Sequence, residues 1–193
     1  MEKGILKISQ ISKIFISKYP VIAFFLILLF FHSSFVKSES YAVASRHHLA
    51  TDIGMKVLEE GGNAIDAAVA VAFALAVVNP SAGNLGGGGF MLLHLAETKE
   101  TLSIDYRERA PKKSFETMFQ DNSGKVIKGL SLNSILASGV PGTVSGMFYA
   151  SRKFGTIDIK SLINPSINLA KEGFALSDFQ AKNLNKYKKK FSK

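Results

Sequence analysis

The chain has 193 residues, 47% of them apolar, which is enough for one well-buried core and too few for a second sizeable domain. Its formal charge of +9 suggests nucleic acid, but the excess sits at the two ends: residues 1–38 hold five lysines and one glutamate, and Lys186 to Lys193 hold five lysines and no acid. The stretch between them, 39–185, carries 14 basic and 14 acidic residues, so it supplies no basic groove for phosphates and nucleic-acid binding is set aside.

At the N-terminus, Lys3, Lys7, Lys13 and Lys18 precede the unbroken apolar run VIAFFLILLFF, Val21 to Phe31, and polar and small residues follow it. That order is the basic, apolar and small-residue sequence of a secretory signal. The 11 apolar residues make about 16 Å of helix, roughly half a bilayer core. Residues 1–38 are therefore read as a signal peptide, with cleavage after Ser38 or Ser40 and a retained membrane anchor as the alternative. A periplasmic or secreted product is expected. With no cysteine, the exported domain must be held by its core alone.

Past the signal, the pattern is tightly packed α/β. YAVAS, Tyr41 to Ser45, reads as a short apolar strand. Leu49, Ile53, Val57 and Leu58 then recur at helical spacing until Gly61 and Gly62 stop the turn. Asn63 can cap the next helix, AIDAAVAVAFALAVVN, which is apolar nearly all round and so belongs in a core. Asn79-Pro80 ends it, because the proline ring disfavours the α conformation for the residue before it.

GNLGGGGF, Gly83 to Phe90, follows that helix. A dinucleotide fingerprint needs a strand, then the glycines, then a helix whose N-terminal amides meet the pyrophosphate. Here the order is helix, glycines, then the strand FMLLHLA, Phe90 to Ala96, and no Gly-Lys-Ser/Thr ending is present. Two explanations of the glycines stay open: close backbone approach at a site, or packing so tight that no Cβ fits. TLSIDYR, Thr101 to Arg107, is the second strand of a hairpin closed by the polar turn ETKE. Arg107 stands at its exit, where an arginine is either a solvated charge or a fork of donors for a substrate carboxylate.

Taken together, EEGGNAIDAAVAVAFALAVVNPSAGNLGGGGFMLL, SIDYRERAP, ASGVPGTVSGMFYASRKFGT and INPSINLAKEG resemble, in the same order, the N-terminal part of the large subunit of the γ-glutamyltranspeptidases, or glutathione hydrolases. The resemblance covers about residues 41–185. It implies an α/β (α+β) fold, part of the four-layer αββα sandwich of the N-terminal-nucleophile hydrolases. It also implies a precursor that cuts itself into two subunits. The threonine freed at the start of the small subunit attacks the γ-glutamyl amide with its own α-amine as base, and water or an amino acid resolves the acyl-enzyme. The substrates implied are γ-glutamyl compounds such as glutathione. The partners are the small subunit or a separately encoded remainder of the large one, and no cofactor is called for. The arginine of the family's D-x-R-E motif aligns with Arg107 and binds the α-carboxylate of the glutamyl group.

The family's nucleophilic threonine belongs to a region several hundred residues from the start, so no catalytic residue is assigned within this chain. Thr143 and Thr156 lie outside the small-subunit start motif, and Ser145 in GTVSG lacks the spacing of a nucleophile elbow. His47, His48 and His94 are tied to no nucleophile or acid by spacing, and a single His-His pair does not make a metal site. Residues 186–193 read as a lysine-rich tail. Exposed apolar surface is expected wherever a partial sandwich lacks its facing sheet. The alternative reading is a non-catalytic exported remnant or a binding module.

Overall fold

The helix that the sequence leaves without a polar face is the one around which the others are arranged. The computed structural model describes residues 41–191, so the signal and anchor readings of residues 1–38 lie outside the described residues. Helix α1, His48–Glu59, is capped by His47, whose Nδ1 accepts the Leu49 N–H at 3.3 Å. It ends where Gly61, at φ +91°, lets the chain turn left-handed, a conformation that costs a glycine little. Asn63 then caps helix α2, Ala64–Val78, as expected. Its Oδ1 accepts the N–H groups of Ile65 and Asp66, and Asp66 Oδ2 accepts the Asn63 N–H, which makes a reciprocal capping box.

Helix α2 packs against α1, against α4 (Thr143–Phe154) and against α5 (Ile159–Glu172). Val69, Ala70, Phe73, Ala74 and Val78 of α2 are buried, together with Val57, Met147, Ala150 and Leu162 from the three neighbours. Burying large aliphatic side chains in this way contributes about 1.5–3 kcal/mol each. The alanines of α2 let the neighbouring helices approach closely.

Strands β1, Phe90–Leu95, and β2, Glu100–Asp105, form the expected hairpin, antiparallel with Phe90 opposite Asp105 and Leu95 opposite Glu100. The alternation of the strands divides their side chains. Met91, Leu93, Leu102 and Ile104 are buried or half-buried, with Met91 and Ile104 packed on the helical core. Phe90 and Leu92 face outward, 64% and 76% exposed. A second apolar surface lies along α2, where Val71, Ala72 and Leu75 line a groove of about 410 Å³ with Val43, Met91 and Tyr106. Both match the exposed apolar surface expected of a partial sandwich. The short helix α3, Leu130–Asn133, precedes a 3₁₀ turn at Ile135–Ala137, and α6, Asp178–Phe191, closes the described chain.

One sequence expectation is corrected. Tyr41–Ser45 is in no ladder: a strand exists by its hydrogen bonds to a neighbour, and no described segment offers them. Val43 instead lies against α1, close enough that a Cβ on Gly54 would stand 3.0 Å from its Cγ1.

Candidate functional site

Arg107 lies two residues past the end of β2, and the backbone on either side of it is fixed. Before it, Tyr106 exchanges backbone bonds with Gly89, its N–H donating at 3.0 Å and its carbonyl accepting at 3.4 Å. After it, Arg109 and Val140 form an isolated bridge with N–H···O distances of 3.1 and 2.8 Å. The Arg107 N–H donates to Asp105 Oδ1 at 3.0 Å. The guanidinium carbon stands 5.9 Å above the Phe90 ring, and no carboxylate pairs with this side chain among the described residues.

The glycine loop is part of the same construction, which answers the question its composition raises. Gly87 lends its carbonyl to two N–H groups at the start of α4, those of Gly142 and Thr143, at 2.9 and 3.0 Å. That brings Gly88 and Gly142 against the Tyr106–Arg107–Glu108 backbone. A Cβ on Gly88 would stand 2.6 Å from the Tyr106 carbonyl oxygen and 2.7 Å from the Glu108 nitrogen. A Cβ on Gly142 would overlap the Tyr106 carbonyl and lie 3.0 Å from the Arg107 carbonyl oxygen. Of the two open explanations, the packing one is seen: backbone approaches backbone where no Cβ fits, and it does so beside the candidate arginine. One turn into α4, Gly146 leaves room for the Tyr106 ring. That ring is partly buried, which pushes the phenol pKa up from its usual value, and the neutral hydroxyl donates to the Phe90 carbonyl at 3.3 Å.

Beside these segments opens a cleft of about 550 Å³, the size of a small-molecule site. Arg107, Arg109, Ser145, Tyr149 and Lys153 line it, with Asp105 as its one acidic residue. Lys153 Nζ donates to the Tyr149 hydroxyl at 3.1 Å. The cleft is suited to a carboxylate: cationic donors are present, and the nearest acid already accepts a backbone N–H.

The remaining candidates are placed elsewhere. The His47 and His48 rings stack on each other at 4.7 Å, with Phe174 edge-on to His47 at 6.0 Å. His94 Nδ1 is 3.0 Å from the cross-strand Thr101 Oγ1. None of the three lines the cleft. Thr143 begins α4, and Thr156 Oγ1 donates to Asp66 Oδ2 at 2.7 Å, a structural bond. Ser145 reaches the cleft with no histidine beside it in the lining. Among the described residues no cluster of three metal-ligating side chains occurs.

Asp66 was missed by the sequence reading although the Asn63-x-x-Asp66 spacing is a capping-box signal. Completely buried in α2, it accepts from the N–H groups of Asn63, Thr156 and Ile157 and from the Thr156 hydroxyl. It thereby joins the start of α2 to the link between α4 and α5. No sequence signal marks Thr156 as its partner across 90 residues.

Comparison with known proteins gives this geometry its context. The family model described as gamma-glutamyltranspeptidase matches residues 50–193. The glutathione hydrolase proenzyme of Pseudomonas sp. (strain A14) is 53% identical over 141 residues, 73% of this chain and 24% of the relative. The glutathione hydrolase proenzyme of Escherichia coli (strain K12) is 47% identical over 152 residues, 79% of this chain and 26% of the relative. The crystal structure of Helicobacter pylori gamma-glutamyltranspeptidase superposes with a TM-score of 0.74 at 52% identity, covering 77% of this chain and 42% of that one. This chain thus spans about a quarter of the length of these curated relatives. With the family match over three-quarters of its residues and the same fold in a solved relative, the chain belongs to the gamma-glutamyltranspeptidase family.

Proposed function

We propose that this chain supplies the glutamyl-binding part of an enzyme that cleaves γ-glutamyl amides such as glutathione and passes the γ-glutamyl group to water or an amino acid. The observation that carries the reading is Arg107: a guanidinium at a strand exit, fixed backbone on both sides, no carboxylate partner among the described residues, and an open cleft beside it. A planar guanidinium can meet both oxygens of an α-carboxylate. Held there, the glutamyl group presents its γ-carbonyl at a fixed distance, which is the positioning part of catalysis.

Bond making is assigned to a threonine supplied by the small subunit. Its oxygen adds to the γ-carbonyl carbon, its α-amine takes the proton, and the amide C–N bond breaks as the leaving amine is protonated. Water or an acceptor amine then displaces the threonine from the ester. The chain alone is inactive on this reading, because Ser145 has no histidine beside it in the cleft lining and the Thr156 hydroxyl is engaged in a structural bond to buried Asp66. Export to the periplasm or the medium is part of the proposal, supported by the basic and apolar order of residues 1–31.

The test is a kinetic series on this chain joined to the remaining sequence of the Escherichia coli relative. Arg107→Lys should raise KM although the charge is kept, and Arg107→Ala should raise it more, by roughly 30-fold to several thousand-fold, the equivalent of about 2–5 kcal/mol. The loss should appear with γ-glutamyl-p-nitroanilide and vanish with 4-aminobutyryl-p-nitroanilide, which lacks the α-carboxylate. Equal losses on both substrates, or a larger loss from Arg109→Ala, would refute the assignment.

A further inference from the structure

We propose that Gly88 and Gly142 are positioning residues for Arg107, acting as the two jaws of a backbone clamp, with Asp105 as a peg on the same peptide. The inference rests on the reading of Arg107 as the carboxylate-binding group. It goes beyond that reading by assigning the accuracy of the arginine's placement to residues that have no side chain.

The geometry is that of a peptide met closely by two separate segments of the chain. Gly88 comes from the loop before β1 and meets the Tyr106 carbonyl, the Arg107 carbonyl carbon and the Glu108 nitrogen. Gly142 comes from the start of α4 and meets the Tyr106 and Arg107 carbonyls. The two jaws are tied together by the Gly87 carbonyl, which accepts from Gly142 and Thr143. Asp105 Oδ1 accepts the Arg107 N–H at 3.0 Å and holds the same peptide. The approaches of these glycines to the Arg107 peptide are to backbone atoms, which cannot swing aside as a flexible side chain can. A methyl group on either jaw must therefore move the peptide, and the guanidinium with it. Displacements of about 1 Å at a positioning group cost on the order of 100-fold in rate. By contrast, Gly86 has nothing within 4 Å of where its Cβ would be, although it sits two residues from Gly88.

The test has two readouts. In the full chain, amide hydrogen exchange is followed at Tyr106 and Arg109, whose N–H groups donate to Gly89 and Val140 on either side of Arg107. Gly88→Ala and Gly142→Ala should each speed exchange at these two amides by about tenfold or more while the amides of α2 stay protected. Gly86→Ala should leave all of them unchanged. In the joined enzyme, Gly142→Ala should raise KM for γ-glutamyl-p-nitroanilide and spare 4-aminobutyryl-p-nitroanilide. Adding Arg107→Ala to it should cost little more, because the two changes remove one interaction.

If the glycine variants lose α2 protection as well, Asp105 keeps the question answerable, since it is exposed and its replacement leaves the core intact. Asp105→Ala should then show the selective KM rise and Asp105→Asn, which retains the acceptor oxygen, should restore it. Unchanged exchange in Gly88→Ala and Gly142→Ala, or additive losses with Arg107→Ala, would overturn the clamp. Failure of Arg107→Ala itself to discriminate the two substrates would instead overturn the carboxylate reading, whatever the exchange rates show.

Discussion

Replacing Asp66 by alanine removes the carboxylate that joins two parts of the helical layer, and the structure sets the scale of the loss. Four donors lose their acceptor: the N–H groups of Asn63, Thr156 and Ile157 at 3.0, 3.1 and 3.3 Å, and the Thr156 hydroxyl at 2.7 Å. Loss of a helix cap costs about 1 kcal/mol. Hydrogen bonds to a charged group contribute about 1.5–3 kcal/mol each when buried, but Thr156 is exposed and water can replace part of what it loses. The total expected is about 3 kcal/mol, a large share of the roughly 5–15 kcal/mol that holds a domain. Urea unfolding of the chain from Glu39 onward, followed by circular dichroism, should show a lower midpoint with little change in slope. Thermal unfolding should begin about 6–12 °C earlier for a chain of this size. Asp66→Asn keeps the shape but turns an amide NH₂ toward donors, so it should recover only part of the loss. A destabilisation below about 1 kcal/mol for Asp66→Ala would refute the view that this carboxylate is a structural tie.

Two further outcomes follow from the assignments. The purified chain without the rest of the enzyme should release no p-nitroaniline from γ-glutamyl-p-nitroanilide above a heat-killed control, and turnover above that control would mean that a nucleophile has been missed. Secreted or periplasmic material should begin near Glu39 or Tyr41 on N-terminal sequencing, whereas intact Met1 to Phe31 in the membrane fraction would favour a retained anchor.

The elements that the sequence made legible are those whose signals are local. Gly61 and Gly62 after a 3.6-residue periodicity, Asn63 before an apolar run, and Asn79-Pro80 after it placed α1 and α2 within a residue or two. Two strand-like runs on either side of the polar turn ETKE placed the hairpin and left Arg107 at its exit. What was hidden depends on distant partners. Tyr41–Ser45 has the composition of a strand, but pairing is a property of two segments and composition describes one. The glycine loop could be recognised as close-packed, yet nothing local says that its counterpart is Gly142, more than 50 residues on, or that both meet the backbone of Tyr106 and Arg107. Asp66 is visible as half of a capping box, whereas its larger role depends on Thr156 and Ile157 arriving from the far end of α4. Helix α5 carries Pro165 in its interior, a residue that argues locally against the helix that tertiary packing of Leu162 and Ser166 maintains.

The most direct test of the central claim is a crystal structure of the joined enzyme with L-glutamate bound. Both α-carboxylate oxygens should lie about 2.7–2.9 Å from guanidinium nitrogens of Arg107, in the paired geometry of a charge-assisted fork. Glutamate bound with its α-carboxylate on other residues, and Arg107 turned to solvent, would contradict the claim.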